Sequence, residues 1–408
     1  MTLRIAVVSD IHADQQTGRW TRVSAEPPAA RSGQHPLADL ADLVRTQPLS
    51  ADYLVVPGDI ANQANTDGLA YGWRKVHSLA AGLGALVVAA PGNHDVMTHD
   101  DVADPRGGLK GLLPTFPTGD STADAQFWSQ GWCLLEKPDH RILVLDSTLD
   151  FPSFPTGVRK NSPAWRRYLS AIDRGGLTER VEEDLARKLA TLDDKLNIAV
   201  IHHHPVEHQL RTFLQDGYGP MRRGSELIDL FCRFPSAGRW LVIHGHKHVP
   251  QLVNATSTTS SGPVVLCAAS LGAKLWDPID TVARNQFHLI TVRSDYSAAM
   301  PGLTGEVMSY TWGMGDGWQV SERRGSGLPA EAGFGSMEDY RTVAARVEAA
   351  MNTGPADFLH YADLKSLVPQ LPFLLPTDWN YLEDYLETRG FGFTRDRLNR
   401  IVQLARVV

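Results

Sequence analysis

The chain has 408 residues, 43% of them apolar and 21% charged, which is enough for a sizeable core and argues against global disorder. Its formal charge of −7 speaks against a general electrostatic grip on nucleic acid. Cys133, Cys232 and Cys267 show no CxxC spacing, so neither a disulfide framework nor a thiolate zinc site is expected.

The opening MTLRIAVVSD reaches an acidic residue after a short apolar run, unlike a secretion leader. No stretch approaches the roughly 18 uninterrupted apolar residues of a membrane-spanning helix. A cytoplasmic protein with no membrane contact is expected. Short β-branched runs then recur: LRIAVVSDIH, YLVVPGD, ALVVAAPGNHD, RILVLDS, NIAVIHHHP, RWLVIHGHKH and PVVLCAASLG. Continuous rather than alternating apolar runs predict strands buried on both faces. Helical stretches are expected over 35–47, 68–84, 177–194 and 225–234, so strand and helix alternate as in an α/β fold.

The Gly- and Pro-rich regions 96–130 and 151–163 read as long loops or a small insert, and long loops at strand ends often line a ligand site. After 285–294 the chain reads as a hairpin and a linker. From about 336 the pattern turns helical, with Ser336 and Asp339 as a capping pair and Gly354 as a stop. The expected division is a main domain over 1–325 and a helical C-terminal extension over 326–408.

The polar residues at the ends of the apolar runs carry the chemistry. The runs deliver Asp10 and His12, then Asp59, then Asn93, His94 and Asp95, then His202, His203 and His204, then His244, His246 and His248. Open α/β sheets bind ligands at the carboxyl ends of their strands, so carboxylate, carboxamide and imidazole donors meet at one rim. Such a set without thiolates suits Mn, Fe, Zn, Ni or Co. Alone, a D-x-H or a G-D is more often a turn or a helix cap; the ordered conjunction is far more specific.

The order D-x-H, G-D, G-N-H-D, H and G-H-x-H, spread over about residues 3–294, resembles the calcineurin-like metallophosphoesterase superfamily. The resemblance implies a four-layer αββα sandwich carrying two divalent ions, manganese first, with Fe, Zn, Ni or Co as alternatives. It implies that Asp10, His12 and His248 hold one metal. Asn93, His246 and one histidine of the trio would hold the other, and Asp59 would bridge them through its two oxygens. The family's isolated histidine sits two residues before a proline, which matches His203 here, with His202 as the alternative. On a strand His203 would face away from His202 and His204, without saying which face carries metal. His204 is expected at the substrate entrance or in solvent, and His244 behind the ligands.

His94 is expected to reach over the metals, with Asp95 orienting its ring and holding its charged form. The resemblance implies that His94 stabilises the transition state or protonates the leaving oxygen. Asn93 and His94 would also meet the substrate. Arg222 and Arg223 offer forked donors for a phosphate, although a solvated charged loop is the plainer reading. The aromatic stretch 310–318 offers either a substrate wall or, more simply, a hairpin on the core. Together these expectations describe a metal-dependent phosphohydrolase acting on a small-molecule phosphate ester or nucleotide, not on nucleic acid. A phosphodiesterase is preferred. A phosphomonoesterase for nucleotides or phosphoproteins is the first alternative, and a fold that has lost catalysis the second.

Overall fold

Runs of Val, Ile and Leu set two sheets in the computed structural model, which describes all residues except 1, 19, 27–32, 215–218, 257–260, 277–278, 298–299, 301, 322–326, 354–356, 397–399 and 408. The chain begins with β1 (Thr2–Val7), α1 (Pro36–Thr46), β2 (Tyr53–Val56), α2 (Thr66–Leu83) and β3 (Leu86–Ala89). β1, β2 and β3 pair in parallel. Next come α3 (Gly107–Lys110) and α4 (Ser121–Gln130), inside the region expected as loops. Asp120 nucleates α4 by accepting from the amides of Thr122 and Ala123.

The second sheet is built from β4 (Trp132–Glu136), β5 (His140–Leu145), β6 (Leu196–Val200), β7 (Trp240–His244), β8 (Gln251–Thr256) and β9 (Ser261–Cys267). Helices α5 (Pro163–Arg174) and α6 (Glu179–Leu189) lie between β5 and β6, and α7 (Gly224–Arg233) between β6 and β7. The strand order is β4-β5-β6-β7-β9-β8. The chain then returns to the first sheet through β10 (Gln286–Arg293), which runs antiparallel to β1. The one-turn α8 (Ser294–Ser297), β11 (Gly305–Gly313), β12 (Gly317–Val320) and β13 (Glu331–Phe334) complete it, in the order β12-β11-β10-β1-β2-β3 with β13 on β11. The aromatic stretch 310–318 is therefore the turn of the β11–β12 hairpin.

Alternate side chains of the second sheet serve opposite layers. Ile142, Val144, Ile198, Val200, Leu241 and Ile243 join Ile5, Val7 and Val55 in one core, which Leu40 of α1 and Val76 of α2 also enter. Leu143, Ala199 and Val242 instead pack with Val181 and Leu185 of α6 and with Leu227 and Phe231 of α7. Each fully buried aliphatic of this kind contributes roughly 1.5–3 kcal/mol. The result is the expected αββα sandwich.

The C-terminal region carries the expected helices, α9 (Tyr340–Thr353), α10 (Tyr361–Leu367) and α11 (Pro376–Thr388), and adds the strands β14 (Phe358–His360), β15 (Phe391–Arg395) and β16 (Ile401–Arg406). Its three strands form a sheet of order β14-β16-β15, and Phe391, Ile401 and Leu404 pack with Trp379, Leu382 and Leu386 in a core of their own. β13 at 331–334, which follows residue 325 in the chain, pairs with β11 of the first sheet. Asp339 Oδ1 accepts from the Arg341 amide at 2.8 Å, at the start of α9. Ser336 Oγ accepts from the Glu338 amide at 3.4 Å. The stop expected at Gly354 lies outside the described residues. Among the described residues no helix is long and apolar enough to cross a membrane.

Candidate metal centre

The polar residues that end the strands do meet at one rim, on an unusual backbone. Asp10, His12, Asp59, His246 and His248 have φ of 51°, 49°, 53°, 75° and 59°. Each such left-handed non-glycine residue is disfavoured by about 1–3 kcal/mol and persists only where its surroundings dictate it. Here backbone bonds do so: Asp10 N donates to Gly58 O at 3.1 Å and His12 N to Asp59 O at 2.9 Å. Two glycines let carboxylates come close to the chain. A Cβ at Gly92 would stand 2.1 Å from Asp59 Oδ1, and one at Gly245 would stand 2.5 Å from Asp10 Oδ2.

Asp10, His12, Asp59 and His248 form one donor group. His12 Nε2 lies 3.1 Å from His248 Nε2 and 3.7 Å from Asp59 Oδ2. His248 Nε2 lies 3.2 Å from Asp10 Oδ1. The Asp10 carboxylate also accepts from the His246 amide at 3.1 Å and from the Ser9 hydroxyl. Burial pushes Asp10 up, but His248 beside it keeps it below the ordinary carboxylate value. Burial, with His94 nearby, takes His12 down to about 3, so its ring is neutral and offers a lone pair.

The second group gathers around Asn93, whose Oδ1 lies 3.0 Å from His202 Nε2 and 3.2 Å from His246 Nδ1. His202 Nε2 also lies 3.4 Å from Asp59 Oδ2. His202 Nδ1 donates to the Pro57 carbonyl at 2.7 Å, which orients the ring and leaves Nε2 as the inward-facing atom. His203 is close by, with its ring 4.7 Å from that of His246. Both of its nitrogens are engaged elsewhere, Nδ1 with Ser147 Oγ at 2.7 Å and Nε2 with the Ile172 carbonyl at 3.1 Å.

His202, His203 and His246 together form the second donor group, and within the trio it is His202 whose Nε2 also faces Asp59. β6 ends at Val200, so the trio lies beyond the strand and the alternation of faces does not govern it. His204 is buried, not solvated, and stacks on His246 at 6.1 Å. His244 closes β7 in the interior, with Nδ1 3.0 Å from the Gly245 carbonyl.

Asp59 lies between the two groups. Its Oδ1 accepts from the His94 amide at 2.8 Å, and its Oδ2 faces both His12 and His202. Burial pushes Asp59 up, yet His202 and His94 hold it well below the usual range. Burial also opposes charge on His202, but Asp59 raises that ring to about 9. The same field favours a cation in place of that proton. The donors therefore fit two divalent metals: carboxylate, carboxamide and neutral imidazole, without sulfur, in two groups with Asp59 Oδ2 3.7 Å from His12 Nε2 of one and 3.4 Å from His202 Nε2 of the other.

Of the remaining expected site residues, His94 lies partly exposed at the rim, edge-on to His12 with centroids 4.7 Å apart. Asp95 does not orient it. The Asp95 oxygens accept instead from the Ala61 amide at 2.8 Å and the Gly92 amide at 2.9 Å, and burial with Asp59 nearby raises its pKa to about 7. Asp95 clips two rim loops together. Arg222 and Arg223 are engaged by acids: Arg222 pairs with Asp150 at 2.8 Å, and Arg223 with Glu182 and Glu179. Sequence reasoning did not single out Ser9, Ser147 or Gln63, whose amide donates to His94 Nδ1 at 3.3 Å. Ser9 Oγ donates to Asp10, and Ser147 Oγ meets His203 Nδ1 and accepts from the His203 amide, contacts that no residue pattern announces.

No curated protein matches this chain. Among solved structures, the chain is similar to a dimetal phosphatase from Danio rerio, at 14% identity and a TM-score of 0.47, over 76% of this chain and 99% of that one. It is similar to purple acid phosphatase PPD1 from yellow lupin (Lupinus luteus), at 16% and 0.46, over 79% of this chain and 53% of that one. A 5′-nucleotidase precursor from Thermus thermophilus follows at 13% and 0.33, over 72% of this chain and 51% of that one. These are likenesses of fold alone. The family model described as calcineurin-like phosphoesterase matches residues 3–250, more than half of the sequence, and the chain belongs to that family of phosphate-ester hydrolases.

Proposed function

We propose that this protein hydrolyses phosphodiesters of small molecules with two divalent cations, manganese by preference. Asp10, His12 and His248 would hold one, Asn93, His202 and His246 the other, and Asp59 both. One observation carries this reading: Asp59 Oδ2 lies 3.7 Å from His12 Nε2 and 3.4 Å from His202 Nε2, between two donor groups. When bound, such a metal pair acidifies a water and neutralises charge on the phosphoryl oxygens.

The chain's own groups complete the chemistry. Because the Gln63 amide donates to His94 Nδ1, the ring proton sits on Nε2. From there it can be donated to a phosphoryl or leaving oxygen, stabilising the charge that develops. To protonate an alkoxide outright, the ring must first take a second proton at Nδ1 and release Gln63. His203 positions rather than binds, holding Ser147 and the Ile172 carbonyl behind His246. The diester preference is supported by His94, whose place at the rim beside His12 suits donation to an alkoxide leaving oxygen. Free cysteines, with burial pushing Cys133 up to about 12, support a cytoplasmic setting.

The test is hydrolysis of bis-p-nitrophenyl phosphate beside p-nitrophenyl phosphate by chelator-treated protein supplied with manganese. Metal-dependent turnover with kcat/KM at least about tenfold higher on the diester supports the proposal. Preference for the monoester overturns the diester reading.

A further inference from the structure

A cleft of about 530 Å³ is lined by Trp20, Arg22, Lys274, Leu275 and Trp276. Its walls are the two chain segments bonded to the start of the metal centre. Leu271 N donates to Ser9 O at 2.8 Å and Gly272 N to Asp10 O at 3.2 Å, while Arg22 N donates to Gly272 O at 2.8 Å. Lys274 N donates to Trp20 O at 2.9 Å, which ties the walls to each other. The cleft and the Asp10 backbone are therefore one hydrogen-bonded unit.

The lining is unusual for a solvent-facing cleft. Trp20 and Trp276 are each 48% exposed. Neither Arg22 nor Lys274 makes an ion pair among the described residues, and the buried Nε of Arg22 has no hydrogen-bond partner. The Arg22 guanidinium is held over the Trp312 ring, 5.3 Å from its centroid. A half-exposed indole beside two cations that make no ion pair among the described residues recognises a flat aromatic ring that carries acceptors and negative charge.

We propose that this cleft binds the nucleoside portion of the substrate, with the base stacked on Trp276 and its acceptors or a phosphate met by Arg22 and Lys274. The inference rests on phosphoester hydrolysis at the metal centre and narrows its substrate to a nucleotide ester.

Two measurements on metal-loaded protein test it, with Trp276→Ala and the ring-preserving Trp276→Phe. In calorimetric titration, Trp276→Ala is expected to weaken adenosine monophosphate about fivefold or more, the low end of a base stack. Ribose 5-phosphate, which lacks the base, is expected to stay within about twofold of its wild-type affinity, and Trp276→Phe is expected to retain most of the nucleotide affinity. In turnover, Trp276→Ala is expected to raise KM for thymidine 5′-(p-nitrophenyl phosphate) by a similar factor and to leave ethyl p-nitrophenyl phosphate unchanged. Equal effects on the ligands with and without a base, or no effect on either, overturn the cleft assignment. Absence of turnover on both esters by the wild type overturns the phosphodiesterase reading instead, and the titration still decides the cleft.

Discussion

His202 turns its Nε2 toward Asp59 Oδ2, 3.4 Å away, while its other ring nitrogen is fixed by the Pro57 carbonyl at 2.7 Å. His203, one residue on, has both nitrogens bound to Ser147 and Ile172. Replacing His202 by Ala is therefore expected to remove one metal per chain and lower kcat at least about a hundredfold. Replacing His203 by Ala removes only support and falls within the roughly 10- to 100-fold range of such outer contacts. Elemental analysis of the two purified variants separates the cases.

His94 contacts the centre through its ring edge and not through a carboxylate partner. His94→Ala is expected to leave both metals bound and to lower kcat by about a hundred- to a thousandfold. Loss of a metal in that variant would make His94 a support of the site.

Asp95 joins Ala61 to Gly92 through two accepted amide bonds. Asn offers one oxygen where the carboxylate offers two, so one buried amide loses its acceptor. Asp95→Asn is expected to lower stability by about 1–3 kcal/mol, read by chemical unfolding of the metal-loaded protein.

His288 supplies a pH dependence away from the metals. It is fully buried, its Nδ1 bonds Ser309 Oγ at 2.9 Å and its Nε2 accepts from the Ala269 amide. Burial lowers its pKa from 6.5 to about 3. A folded value below the unfolded one means that the unfolded chain binds the proton first. Stability is therefore unaffected above pH 6.5 and falls below it, by up to about 1.4 kcal/mol per pH unit for this one group. His288→Gln is expected to flatten the slope of unfolding free energy between pH 6 and 5 by about that amount.

The sandwich was legible because its strands are apolar on both faces, as in RILVLDS and RWLVIHGHKH, and the rim residues follow the ends of such runs. What escaped depended on where a strand stops and what it pairs with. The trio VIHHHPV reads as strand, yet pairing ends at Val200, and only the Pro57 and Ile172 carbonyls sort the rings. Ile401 and Leu404 are spaced as on a helix, but pairing with Phe391–Arg395 makes them strand. Arg222 and Arg223 looked available because their acidic partners, Asp150, Glu179 and Glu182, are distant in sequence.

The central claim is a two-cation centre bridged by Asp59. Titrating chelator-treated protein with Mn²⁺, while following bound metal and bis-p-nitrophenyl phosphate hydrolysis together, tests it most directly. The expected result is two ions per chain, with activity rising as the second one fills. Saturation at a single ion, or hydrolysis that survives complete removal of metal, would contradict it.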